Sequence, residues 1–272
     1  MSTLIARVPI FILMMFMSVG CATISNRDDV CAIRTIAIVS MSINAEPFNV
    51  NGAMQKAVDG RSAAMSASPS PADTTRSSLG IILVNFSAIV KEEFQALPHW
   101  RLVPIELAKD MAAYKAAPGE PIEGPGQDPS MVIPDTRYFD PFRKDKRYAA
   151  ISRSNLTVLC NGLGMDAVMV IRQELAYRPA VLRPAGGGDR TGVKSLGTPM
   201  VGTAIAVITK EGRAAVWMPA SIEDAAEDVP MLESGRVNFT GDDAKCVVSY
   251  NKAIAASVKS LVKRIVEEMN AK

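Results

Sequence analysis

The sequence predicts a single α/β domain, a sandwich in which helices pack on a mixed β-sheet. Segments rich in β-branched residues alternate with segments whose apolar residues recur at helical spacing, which favours parallel strands joined by helices. Two neighbouring apolar segments late in the chain flank a short glycine-containing turn, which indicates an antiparallel hairpin. A long amphipathic helix closes the chain. Parallel pairs together with a hairpin make the sheet mixed.

The composition is that of a globular protein. Apolar residues make up 48% of the 272-residue chain and charged residues 21%, proportions that exclude a disordered chain. The net charge is +2, and no nucleic-acid-binding motif is recognisable, so no nucleic-acid partner is expected.

An N-terminal leader precedes the domain. Arg7 is followed by an uninterrupted apolar run over residues 8–17 (VPIFILMMFM) and then by small residues up to Cys21. About ten apolar residues are half of what a membrane-spanning helix needs, and such a run after a positive residue is typical of a secretion signal. We therefore expect residues 1–20 to be a signal peptide.

The residues at the end of the leader point to a lipid anchor. Ser18, Val19 and Gly20 before Cys21 resemble the lipobox of bacterial lipoproteins, which implies cleavage before Cys21 and lipidation of that cysteine. Ser18 stands where the family usually has leucine, so an ordinary cleaved signal with an incidental cysteine is the alternative. In that family aspartate after the cysteine accompanies inner-membrane retention. Because Ala22 stands there, we expect the periplasmic face of a bacterial outer membrane.

The mature chain is expected to begin with the lipidated N-terminus and a short tether, residues 21–32, before an α/β domain over residues 33–272. Residues 33–43 (IRTIAIVSMSI) are rich in β-branched side chains and predict a buried strand. Residues 44–78 contain prolines, glycines and a serine-rich run, which predicts a loop.

A helix and a short strand follow. Apolar residues at helical spacing predict a helix over residues 79–97, with Ser77 or Ser78 as its N-cap. Residues 100–105 (WRLVPI) predict a strand, and residues 106–115 one or two helical turns.

Residues 116–141 are crowded with proline and glycine and have no periodic apolar pattern. They predict an ordered surface loop, or an insertion that lies over the domain. Tyr138, Phe139 and Phe142 are the residues expected to anchor it.

The second half repeats the alternation. Residues 148–163 predict a helix whose end is capped by Gly162 and Gly164, and residues 167–175 predict a strand. A glycine-rich loop is expected over residues 184–197.

The hairpin comes next, with strands over residues 200–209 and 213–218 around a turn that contains Gly212. A closing helix is predicted over residues 244–269, with an apolar stripe on one side and charged residues on the other.

The three cysteines of the expected mature domain, Cys31, Cys160 and Cys246, are too few and too scattered for a metal site. Export would allow disulfides, but an odd number leaves at least one thiol unpaired. Cys160 falls on a helical apolar stripe and suits a buried free thiol, while a Cys160–Cys246 bridge is the alternative.

No constellation of catalytic residues is evident. His99 is the only histidine and falls in a turn, so neither a serine nor a cysteine hydrolase has its parts. We expect no catalytic residue, metal, cofactor or small-molecule substrate. Two charged groups are most simply solvated surface: an acidic one at Glu223, Asp224, Glu227 and Asp228, and a basic one, which could also touch anionic headgroups, at Arg143, Lys144, Lys146 and Arg147.

Three segments resemble a family of exported bacterial proteins. They are SSLGIILVNFSAIVKEEFQAL with the following HWRLVPIELA, then LGMDAVMVI at residues 163–171, and VGTAIAVITKEGRAAVWM. They are similar to the curli-secretion lipoproteins and their relatives, which include the amino-terminal domain of the TolB translocation protein and lipoprotein activators of peptidoglycan synthases. The resemblance implies an anticodon-binding-domain-like fold used for protein contacts and not for catalysis.

Two specialised roles of that family fit poorly. The chain lacks paired alternating segments that would line an outer-membrane pore, and about eleven residues of tether span at most about 40 Å. The sequence therefore predicts a lipid-anchored envelope protein that binds another envelope protein or itself. The alternatives are an oligomeric subunit of an outer-membrane secretion or transport apparatus, and an enzyme that uses carboxylates alone.

Overall fold

The computed structural model describes residues 26–44, 47–49, 73–95, 97, 99–122, 130–143, 145–179, 196–220, 222–224, 229–230 and 243–270. The signal peptide, Cys21 and most of the predicted glycine-rich loop lie outside these residues.

The described strands are β1 Thr35–Asn44, β2 Phe48–Asn49, β3 Arg101–Val103, β4 Ser130–Val132, β5 Ala167–Pro179, β6 Leu196–Thr209, β7 Ala214–Met218, β8 Ile222–Asp224 and β9 Val229–Pro230. The helices are α1 Arg27–Ala32, α2 Asp73–Gln95, α3 Ile105–Ala108, α4 Ala112–Ala116, α5 Lys146–Leu163 and α6 Asp243–Asn270.

These strands form one mixed sheet whose main order is β3–β1–β5–β6–β7. β1 runs parallel to β3 and to β5, whereas β5, β6 and β7 are successively antiparallel. The short strands extend this path, since β2 pairs with β5, β4 with β1, and both β8 and β9 with β6. The predicted fold class, an α/β domain with a mixed sheet and a C-terminal helix, is confirmed.

Helices cover both faces of the sheet. α2 and α6 pack against each other on one face, where their apolar stripes and alternate residues of β1, β5 and β6 form the larger core. On the other face, α5 and the short helices α3 and α4 enclose a smaller core. β1 is therefore buried on both sides, which is why apolar residues occupy successive positions from Ile36 to Val39, and even Ser40 and Ser42 are buried.

Local signals account for helix α5. The carboxylate of Asp145 accepts hydrogen bonds from the N–H groups of Arg147 and Tyr148 and caps the helix start. Gly164 ends it in the left-handed conformation, with φ of 66°, which glycine adopts without a steric penalty. The predicted cap at Gly164 is confirmed, as is the hairpin turn, where Gly212 has φ of 80°.

Some predicted boundaries are wrong. α2 begins at Asp73, so Ser77 and Ser78 lie inside the helix and do not cap it. An apolar stripe marks only the part of a helix that touches the core, and here the first turns precede that part. Ile105 begins α3 and does not end a strand, since Pro104 directly after β3 suits the position before a helix.

The expected tether over residues 21–32 is too long. Asn26 accepts hydrogen bonds from the N–H groups of Asp28 and Asp29 and caps helix α1. Val30 is completely buried, and its carbonyl accepts a hydrogen bond from the indole of Trp100 at 3.4 Å. The folded domain therefore includes residues 26–32, seven residues more than the start at residue 33 that the sequence predicts.

The described parts of the proline- and glycine-rich segment, residues 116–122 and 130–141, lie over the sheet. Tyr138 and Phe139 are buried, and the backbone N–H of Phe139 donates to the hydroxyl of Ser40 on β1 at 3.1 Å. The half-buried Phe142 packs on Trp217 with ring centroids 4.7 Å apart. No pattern in the sequence predicts β4, which lies within this segment.

Within the described residues, none of the helices combines the length and the hydrophobicity that a bilayer crossing requires.

Candidate functional site

An apolar groove lies between helix α2 and the segment that contains β4. Its volume is about 390 Å³. The α2 side presents Ile81 and Val84, which are 50% and 58% exposed although both are apolar. The other lining residues are Ser77, Gly80, Leu83, Asn85, Met131, Val132 and Pro134.

Strand β4 gives this groove a backbone edge. β5 occupies one edge of β1, and β3 and β4 share the other, β4 pairing antiparallel with Ser42, Ile43 and Asn44. Among the described strands, β4 pairs with β1 alone. A strand edge beside an apolar groove under a helix can accept an extended peptide, whose backbone adds to the sheet while its side chains enter the groove.

The sequence could have indicated the helical half of this site. The core stripe of α2 contains Leu79, Ile82, Leu83 and Phe86, so Ile81 and Val84 fall beside it and not within it. Two large apolar residues beyond the core stripe are a signal for an interaction surface. The strand half gave no signal, because three residues are too few for a pattern.

A second cluster, of charged and aromatic residues, fastens the segment around β4 to the sheet. Arg143 and Glu120 form an ion pair at 3.2 Å in which both side chains are only 7% exposed. The guanidinium also lies over the rings of Tyr138 and Tyr148, at 5.8 and 5.6 Å from their centroids. Cations on aromatic faces are attracted by the ring electrons, which adds to the fastening.

The carboxyl group of Glu120 is buried, which shifts its pKa. Burial raises its pKa above the ordinary value, while the Ser152 hydroxyl and the Arg143 guanidinium oppose that rise. Ser152 lies close enough to act on Glu120 electrostatically without meeting hydrogen-bond geometry. Burial therefore favours the protonated form of Glu120, and Ser152 and Arg143 favour its charged form.

Arg172 on β5 forms the other half of the cluster. Its guanidinium contacts Asp140 at 3.1 Å and also Glu174. Burial opposes the charge of Arg172, but these two carboxylates raise its pKa and keep it protonated. Tyr138 donates to Asp140 at 3.1 Å, and burial raises the pKa of this phenol well above its usual range.

The chemistry of this cluster is structural. Each acid is paired with a guanidinium, so the acids are not arranged as an acid and a base about a substrate. In the part of the chain that the structure describes, no group of three or more His, Cys, Asp or Glu side chains could hold a metal ion. The cluster was not predictable from the sequence because its partners are far apart along the chain. Arg172 and Glu174 are the exception, since they are two residues apart and lie on the same face of strand β5.

The predicted basic group is divided by the fold. Arg143 is taken up by the ion pair with Glu120, and Lys144 lies outside the described residues. Lys146 and Arg147 are exposed at the start of α5. Among the described members of the group, the two on helix α5 therefore face solvent.

The alternative Cys160–Cys246 bridge is wrong. Neither residue forms a disulfide, and Cys160 lies in the core under α5 whereas Cys246 lies in the core under α6. The sheet lies between them, and cysteines whose Cα atoms are more than about 7 Å apart cannot be bridged. Burial raises the pKa of Cys160 to about 12, so its thiol stays protonated and unreactive.

The remaining predicted residues are dispersed. His99 is exposed in the turn before β3. Glu223 and Asp224 belong to β8, whereas Glu227 and Asp228 lie outside the described residues.

Comparison with known proteins adds little to this geometry. No protein-family model and no curated protein matches the chain. Among solved structures the chain is similar to the hypothetical protein CT253 from Chlamydia trachomatis, with 12% sequence identity and a TM-score of 0.32 over 89% of this chain and 100% of that one. A likeness at this level carries no argument about function, and the resemblance to curli-secretion lipoproteins stays a prediction.

Proposed function

We propose that this protein is a lipid-anchored component of the bacterial cell envelope that acts as a protein–protein interaction module. Cys21 carries the anchor, and the domain binds a second envelope protein or a second copy of itself. The observation that supports the binding role is the apolar groove beside the edge of β4, with Ile81 and Val84 about half exposed.

The groove suits an extended segment of the partner. The segment adds to the edge of β4 through backbone hydrogen bonds, which supply affinity without demanding a particular sequence. Alternate side chains then pack against Ile81, Val84 and Met131, which selects apolar residues at every second position. Burial of this surface contributes about 25 cal/mol for each Å² removed from water.

The anchor and the fold together limit the reach of the domain. Asn26 caps the first helix, so four residues separate it from Cys21, and the five steps from Cys21 to Asn26 span about 18 Å at most. The groove is therefore offered to partners at or close to the membrane surface.

Replacement of Cys21 by serine tests the anchor. We expect wild-type protein to incorporate labelled palmitate and to fractionate with the outer membrane, and Cys21→Ser to lose both properties. Ala22→Ser is the matched control and keeps both. Unchanged labelling and fractionation in Cys21→Ser would contradict the anchor but would leave the groove untouched.

Photocrosslinking in intact cells tests the groove. A photoreactive amino acid at Ile81 is compared with the same amino acid at Val248, which is 49% exposed on helix α6. We expect a discrete adduct from position 81 that is absent from position 248 and is lost when Val84 is changed to aspartate. An adduct of twice the chain mass identifies a second copy, and a ladder of multiples identifies an oligomeric assembly. Equal adducts from both positions would refute a specific groove.

A further inference from the structure

We infer that the outer face of helix α5 is a second binding surface and that it docks onto an anionic lipid bilayer. This face consists of Lys146, Arg147, Tyr148, Ile151, Arg153 and Val158. It lies on the opposite side of the sheet from the groove, and the proposed function makes no use of it.

The face carries an excess of positive charge. Helix α5 contains three cationic residues and no acidic residue among its 18 positions. Lys146 and Arg147 are exposed and form no ion pair with any described residue. The nearest acid in sequence, Asp145, is engaged in capping the helix. A surface of this charge is complementary to phosphate-bearing headgroups.

The same face is apolar as well as basic. Tyr148, Ile151 and Val158 are 48%, 45% and 71% exposed, and their spacing of three and seven residues places them on one side of the helix. The core stripe of α5, which includes Leu156 and Leu159, already holds the helix on the sheet. The exposed apolar residues are therefore not required for folding.

The combination favours a bilayer over a protein partner. Helices that lie in the membrane interface pair a cationic polar region with exposed aliphatic and aromatic side chains, which enter the boundary between headgroups and acyl chains. Arg153 lies over the ring of the half-buried Trp217 at 4.5 Å, so its charge sits at the edge of this face, beside strand β7. A purely apolar face would favour a protein instead, as the groove on α2 does.

Tryptophan quenching by brominated lipids tests the inference on the full chain as cells process it. Ile151→Trp places a reporter on the outer face of α5, and Val248→Trp places a matched reporter of similar exposure on the other side of the sheet. Vesicles of brominated phosphatidylglycerol are compared with vesicles of brominated phosphatidylcholine. We expect quenching of the Ile151→Trp reporter in the anionic vesicles only, and none of the Val248→Trp reporter beyond the shared signal of the two native tryptophans.

A charge reversal makes the test quantitative. Arg147→Glu in the Ile151→Trp background removes one attraction and adds one repulsion. Each change should weaken the affinity of the face for an anionic surface about fivefold. We expect the ratio of docked to undocked domains, taken from the extent of quenching, to fall about 25-fold, with unchanged circular dichroism. Equal quenching of both reporters, or none in anionic vesicles, would overturn the inference. Because the acyl chains hold the domain on vesicles of either composition and the groove takes no part in the assay, this outcome is separable from failure of the anchor or the groove.

Discussion

Replacement of Arg143 by methionine is expected to destabilise the domain severely. Methionine keeps much of the side-chain volume but removes the guanidinium that neutralises Glu120 in a site where both side chains are 7% exposed. Breaking a buried ion pair from one side costs about 3–5 kcal/mol, because the remaining charge stays buried without a partner. Arg143 also donates to the carbonyl of Pro121 at 3.0 Å, and that hydrogen bond is lost as well.

Urea unfolding measures this loss. With a denaturant dependence of about 2–3 kcal/mol per molar urea, the midpoint of Arg143→Met should fall by about 1–2 M at pH 7. The double variant Arg143→Met/Glu120→Met removes the stranded charge and should recover a large part of the loss.

The pH dependence gives an independent check. Burial places the folded-state pKa of Glu120 above its ordinary value of 4.5. Between these two pKa values the folded protein binds a proton that the unfolded chain does not, so the free energy of unfolding rises as the pH falls through this window. This rise in the free energy of unfolding should be larger in Arg143→Met and absent from Glu120→Gln. A midpoint for Arg143→Met within about 0.3 M of wild type at every pH would refute the reasoning.

Three further predictions concern the scaffold. Gly164→Ala should cost about 1 kcal/mol, since its φ of 66° is strained for alanine while no atom lies within 4 Å of the added Cβ; Gly80→Ala, equally uncrowded but inside helix α2, should be neutral or stabilising by thermal unfolding. Asp166→Asn should lower stability by about 1 kcal/mol at pH 7. Burial opposes the ionisation of Asp166, but hydrogen bonds from the backbone of Thr35 and Arg34 lower its pKa. The wild-type protein should therefore lose this stabilisation as the pH falls below 3.8. The free energy of unfolding of Asp166→Asn should change less over the same pH range. Cys160 and Cys246 should react with a thiol reagent only after unfolding, and modification of either in the native state would contradict their burial.

Segments whose apolar residues recur at regular spacing were predictable, because the pattern that identifies them lies within the segment itself. Helix α6 carries its apolar stripe over seven turns, and the hairpin of β6 and β7 needs only two apolar runs and Gly212. Asn26 with acids two and three residues later was a local signal for helix α1 as well. This signal lies a few residues after the lipobox, where a lipid anchor favours a tether instead of a helix.

The remaining features depend on contacts between distant parts of the chain. β4 is three residues long and exists because its backbone pairs with β1 near Ser42. The ion pair of Arg172 with Asp140 likewise requires knowledge of where the proline-rich segment lies. The failure of the Cys160–Cys246 bridge has the same origin, since two helices with similar stripes can cover opposite faces of a sheet.

The position of the two proposed surfaces on opposite sides of the sheet has a testable consequence. α2 packs with α6 on one face, whereas α5 covers the other. A bilayer that contacts α5 therefore leaves the groove beside β4 open to a partner, and the two binding events should be independent. Arg147→Glu should leave the adduct from position 81 unchanged, and Val84→Asp should leave quenching of the Ile151→Trp reporter unchanged. If either variant altered the other assay by more than about threefold, the two surfaces would be coupled by more than about 0.6 kcal/mol, and their independence would be disproved.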